Sequence, residues 1–180
     1  IAFGEALEPS FKIYQEQLVN NSKALAEAFQ KLGYRVISGG TDNHLFTLDV
    51  FKTLNITGLK AEKTLDKVNI TCNKNLIPFD QQKPKFGSGI RLGTAAITTR
   101  GLKEDAMPQI AKWIDEALKN ADNEDILTRI QTEIIDFIVF FVFFESEKYY
   151  RDTFIDLYIS LVDRFFEEHS ADYSHNTRET

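Results

Sequence analysis

The chain has 180 residues, 43% hydrophobic and 12% aromatic, which is enough to bury the core of one domain with an appendage and too much for a disordered segment. Its net charge of −6 argues against a nucleic-acid surface, which needs clustered Lys and Arg, so nucleic acid is not an expected partner. The single cysteine, Cys72, excludes an internal disulfide, and no Cys/His spacing fits a zinc site; no metal is expected, and the setting reads as reducing and cytoplasmic.

The chain opens at Ile1 without a Met, on residues that already read as helical, as expected of a fragment. Phe11, Tyr14, Leu18, Leu25, Phe29 and Leu32 recur at steps of three, four or seven and predict a long amphipathic helix that stops at Gly33. Tyr34 to Ile37 and Leu45 to Val50 are β-rich runs separated by the turn SGGTDN, and they predict a hairpin. A helix is expected over Leu59 to Val68, then a strand over Asn69 to Cys72, the loop NKNLIPFDQQKPKFG, and a short strand over Gly89 to Leu92. The next helix carries Ile110, Trp113, Ile114, Ala117 and Leu118 on one face, with Glu104 and Asp105 at its positive end and Pro108 in its first turn. This order predicts an α+β layer, with helices packed on one face of a short, mainly antiparallel sheet.

The stretch SGIRLGTAAITTRG sets Arg91 among small and β-forming residues. A guanidinium is rarely buried without a partner, and its planar fork suits a carboxylate or phosphate, so an anion is expected beside it. That anion is either an Asp or Glu elsewhere in the fold or a ligand.

AFGEALEPSFKIYQEQLVNNSKALAEAF, SGGTDNHLFTLDV, NITCNKN and SGIRLGTAAITTRG, in this order and spacing, closely resemble the C-terminal region of bacterial serine hydroxymethyltransferase, over about residues 2 to 119 and more weakly to Phe137. The resemblance implies a pyridoxal 5'-phosphate enzyme of the aspartate-aminotransferase fold type that moves a one-carbon unit between serine and tetrahydrofolate to give glycine. Its partners are then serine, glycine and folate, and a second copy of the chain, since the family works as a homodimer. In the family the arginine of SGIR holds the amino-acid carboxylate, a role that falls to Arg91. Asn75, the second Asn of NKN, matches a residue that contacts the pterin, and Pro84 matches a position of the folate-binding loop.

The chain departs from the family in that loop, reading DQQKPKFGSGIR where the family usually has Asp-x-x-Ser-Pro-Phe-x-Thr-Ser-Gly-Ile-Arg. Pro84 and Ser88 match, whereas Lys83, Lys85 and Gly87 replace Ser, Phe and Thr, and Ala95 replaces Pro. The family's Schiff-base lysine follows Thr-Thr-His, and no lysine here has that context. No catalytic residue is therefore assigned to this chain, and Lys74 is read as a solvated or folate-adjacent amine. His44 reads as a structural hydrogen bonder, Thr99 and Arg100 as capping and ion-pairing groups before a helix, and His169 and His175 as carrying no metal.

Residues 1 to 120 form the part that resembles the family, and 121 to 180 an aromatic-rich helical extension whose end after about 170 reads as disordered. Ile134 to Phe144 is shorter than the roughly 20 apolar residues a bilayer requires, so no membrane span is expected. Tyr150, Phe154, Leu157, Leu161 and Phe165 predict an amphipathic helix that either folds back on the chain or joins two copies. A second functional reading follows from that tail: a catalytically inactive remnant that serves as an interaction module.

Overall fold

A computed structural model of the chain describes residues 2 to 140. Residues up to Phe137 form one compact unit. In chain order the elements are α1 (Ala2–Glu5), α2 (Pro9–Lys31), β1 (Arg35–Val36), β2 (Leu45–Asp49), α3 (Val50–Leu54), α4 (Gly58–Lys67), β3 (Asn73–Asn75), β4 (Gly89–Gly93), α5 (Ala95–Thr99), α6 (Met107–Lys119) and α7 (Glu124–Phe140). The four strands lie in the order β1-β2-β4-β3, and every neighbouring pair is antiparallel. This is the α+β layer that the sequence predicts.

The period-two alternation of the strands separates the two faces of the sheet. Val36, Phe46, Leu48, Ile90 and Leu92 point to one side and are buried there. α2 closes over that side: Phe29, fully buried, sets its ring 5.4 Å from Tyr34 and 6.1 Å from Phe46. Burying a ring of this size contributes about 2–3 kcal/mol. The α2 stripe ends as its sequence requires. Gly33 takes φ 87°, and the chain turns back so that the Tyr34 N–H donates to the Phe29 carbonyl at 3.0 Å.

α6 packs on α2, and its apolar face buries Met107, Ala111, Trp113, Ile114, Ala117 and Leu118. Pro108 stands in the first turn, where its missing N–H has no bond to lose. α7 then packs on α6. Trp113 Nε1 donates to Glu133 at 2.8 Å, the Trp113 and Phe137 rings meet edge-on at 5.2 Å, and Arg129 bridges Glu116 and Glu133. No helix among the described residues is long and apolar enough to cross a membrane.

Four expectations need correction. The strand expected over Asn69 to Cys72 lies instead at Asn73–Asn75, inside what reads as a loop. Asn69 adopts a left-handed conformation (φ 61°) and the Ile70 N–H donates to Leu65, so the β-branched run serves as the exit from α4. Val50 is not a strand end but the first residue of α3, which Asp49 caps by accepting from the Lys52 N–H at 2.9 Å. Thr99 and Arg100 close the unanticipated helix α5. Thr99 Oγ1 donates to the Ala95 carbonyl and Arg100 Nη1 to the Ala96 carbonyl, both at 2.9 Å, where an ion pair had been expected of Arg100. Finally, the α2 stripe is buried only from Leu18 onward; Phe11 remains exposed and Tyr14 turns its hydroxyl to Thr99. The expectations for 141 to 180, including the Tyr150 to Phe165 helix, His169 and His175, lie outside the described residues.

Candidate functional site

The second face of the sheet carries a different set of side chains. β4 places Gly89, Arg91 and Gly93 on it; register adds Thr47 opposite Arg91 from β2, and Asn73 and Asn75 opposite Arg91 and Gly89 from β3. Arg91 is exposed at the centre of this polar row. Arg35, on the same face of β1, is held by Asp49 at 3.1 Å, whereas Arg91 forms no ion pair among the described residues. Its one hydrogen-bond partner there is Asn73. With the Asn73 amide turned to satisfy both ends, Oδ1 accepts from Arg91 Nη2 at 3.0 Å and Nδ2 donates to the Cys72 carbonyl at 3.2 Å.

Asn75 shares the Arg91 face because it lies two residues along β3 from Asn73. Lys74, between them, points to the other side. Glu62 holds it there, accepting from the Lys74 N–H at 2.9 Å and pairing with Nζ at 3.3 Å. Cys72 is equally unsuited to nucleophilic work, because burial, then the carboxylates of Glu62 and Asp66, push its thiol up to about 12.

The loop from Leu76 to Ser88 leaves β3 and returns to β4, so its ends are neighbours while its middle projects. Asp80 organises it. One carboxylate oxygen accepts from the Ile77 N–H at 3.1 Å and the Ser88 N–H at 2.9 Å; the other accepts from the Gln82 N–H at 2.8 Å and the Ser88 hydroxyl at 2.6 Å. The start of α4 holds the returning arm, with the Gly58 and Leu59 N–H groups donating to the carbonyls of Gly87 and Phe86. Pro84 follows Lys83, whose carbonyl accepts from the Phe86 N–H at 2.8 Å, so it sits second in a tight turn and is exposed there. The structure thus brings Arg91 and Asn75 to one face and sets Pro84 out on the loop, with Lys83 and Lys85 exposed beside it.

Sequence reasoning passed over both Asp80 and Asn73. An Asp two residues before a Gln hints at an Asx turn, but its bond to Ser88 spans eight residues and leaves no local signal. Desolvation pushes the Asp80 carboxyl up, but the hydrogen bonds from Ser88, Gln82 and Ile77 outweigh it and hold the group below the usual aspartate range. A depressed folded pKa means that the stabilisation is complete above the ordinary aspartate pKa of about 3.9 and is lost as pH falls through the folded value. Asp80→Asn is expected to cost about 1–3 kcal/mol at neutral pH, and the gap from the parent should narrow in acid. Equal denaturation midpoints for the two proteins at pH 7 would show that the carboxylate does not pin the loop.

An open recess of about 680 Å³ lies elsewhere, between α2 and the 38–43 loop, lined by Lys23, Glu27, Gln30 and Asp42 among others; it reaches Thr47 but not Arg91. His44 is exposed beside that loop and contributes only its carbonyl, which accepts from the Thr94 N–H at 3.0 Å. The chemistry concentrated at Arg91 is recognition of an anion on an open face, beside two amides that can both donate and accept.

Residues 1–114 match serine hydroxymethyltransferase, a family of transferases in one-carbon metabolism that depend on pyridoxal phosphate and use tetrahydrofolate. The match runs from α1 into α6 and takes in all four strands, the Asp80 loop and the Arg91 face. The chain therefore belongs to the serine hydroxymethyltransferase family.

Proposed function

We propose that this chain is the C-terminal, substrate-binding domain of a bacterial-type enzyme that transfers a one-carbon unit between serine and tetrahydrofolate to give glycine. The observation that carries this reading is the state of Arg91: a guanidinium on an exposed sheet face, tethered by a neutral amide, with no carboxylate of the described residues beside it. In this reading Arg91 takes the α-carboxylate of serine or glycine in its fork, and Asn75, on the same face, meets the pterin edge of the folate. A clamp of this kind fixes the orientation of the amino acid before reaction.

The described residues do not fit the covalent holding of pyridoxal phosphate. The strands place no lysine on the Arg91 face: Lys74, the one lysine in the four strands, points to the opposite side and pairs with Glu62. In our reading the clamp is this chain's contribution, and the cofactor's lysine and phosphate site lie outside the described residues, in a longer form of the chain or in another polypeptide.

Complementation tests this division of labour. The chain, co-expressed with the cofactor-binding portion of a serine hydroxymethyltransferase cut at the matching point, is expected to restore folate-dependent cleavage of serine. A complex that co-purifies, binds pyridoxal phosphate and yet gives no turnover would overturn the reading in favour of the inactive remnant.

A further inference from the structure

We infer that Asn73 is a positioning residue for Arg91, and that its neutrality is what keeps the arginine available to a carboxylate ligand; this rests on the clamp reading above. An arginine on an exposed strand has a long side chain with many rotamers, and binding a ligand in one geometry costs the entropy of selecting it. Asn73 reduces that cost. It stands directly across the ladder from Arg91, and its Oδ1 takes one Nη2 proton at 3.0 Å. The orientation of the amide is itself fixed, because Nδ2 donates to the Cys72 carbonyl at 3.2 Å. Acceptor toward arginine and donor toward backbone is the arrangement that leaves neither end facing its own kind.

The tether consumes one of the guanidinium's five N–H donors and leaves four for a ligand. Because the amide carries no charge, it does not neutralise the cation. An aspartate at the same place has the same shape and also accepts from Nη2, yet it would form a standing ion pair and compete with any incoming carboxylate. Arg35 shows that outcome on the same face: its partner is Asp49, and its charge is compensated within the fold. The sheet therefore holds one arginine paired with a carboxylate and one paired with an amide, and only the second is free to recruit an anion.

Isosteric and truncating substitutions make opposite predictions for positioning and for packing. In the complemented enzyme, Asn73→Asp is expected to raise KM for serine on the order of tenfold to a hundredfold with a smaller change in kcat, and Asn73→Ala by only a fewfold. A residue present merely for packing would rank them the other way, with the same-shaped Asp nearly silent and Ala the more damaging. That order would overturn the proposal.

A second readout does not depend on turnover. In the full chain without ligand, NMR should show the Arg91 Hη protons exchanging more slowly than in Asn73→Ala, and the Asn73 side-chain amide shifting in Arg91→Lys. If neither change is seen, the tether does not exist. If the tether is seen but serine binding is indifferent to Arg91, the clamp reading fails and the supply of a free cation to serine fails with it.

Discussion

In the complemented enzyme, Arg91→Lys is expected to lower kcat/KM for serine by roughly three orders of magnitude, about 4 kcal/mol of transition-state stabilisation. Lysine keeps the positive charge, so a charge-only role predicts a small effect. What it loses is the planar pair of donors that grips both carboxylate oxygens, and with them the orientation of the substituents on the amino-acid α-carbon. The shorter ammonium also cannot hold Asn73 and a carboxylate in the same plane. Glycine affinity should fall with serine affinity, because both present the same carboxylate. Folate affinity should change little, since the folate reading is assigned to Asn75 and the loop beyond it. Steady-state kinetics with serine, with glycine titrated as product, make the comparison. Near-normal kcat/KM in the lysine variant would remove the clamp from Arg91.

The features legible in the sequence are those that short-range periodicity encodes. The apolar stripe of α2, its stop at Gly33 and the Pro108 start of α6 each depend on residues within one or two turns of each other, and the β1–β2 hairpin on two β-rich runs joined by a short turn-forming connection. Arg91 was also legible as an anomaly, an arginine between Ile90 and Leu92. The missing information was which face it occupies and what faces it there. Those depend on register with β2 and β3, and β3 itself was misplaced by three or four residues because Ile70 and Thr71 have strand propensity while Asn69 caps a helix. With β3 read as loop, Asn73 could not be set opposite Arg91. Asp80 was hidden for the same physical reason, its partner Ser88 being brought back by the path of the loop and not by any local pattern.

The departures of this chain from the family loop divide sharply by position, and Gly87→Thr is expected to be the costly one. Gly87 has φ 59°, and a Cβ built there would lie 2.6 Å from the Asn75 carbonyl oxygen and 3.1 Å from its carbon. Both contacts are to backbone, which cannot rotate away. Threonine adds β-branching in a left-handed conformation that such residues rarely adopt. Backbone strain and overpacking together should cost roughly 3–5 kcal/mol, and relief can come only by displacing Asn75 or breaking the Gly58 N–H bond to the Gly87 carbonyl at 2.8 Å. Lys83→Ser and Lys85→Phe restore family residues at exposed positions and should shift stability by no more than about 0.5 kcal/mol. Restoring the family threonine thus damages this loop, while restoring its neighbours does not. Thermal or denaturant unfolding of the three single variants measures the contrast. If Gly87→Thr matched the parent in midpoint, Gly87 would not be held against Asn75, and the loop would follow a different path back to β4.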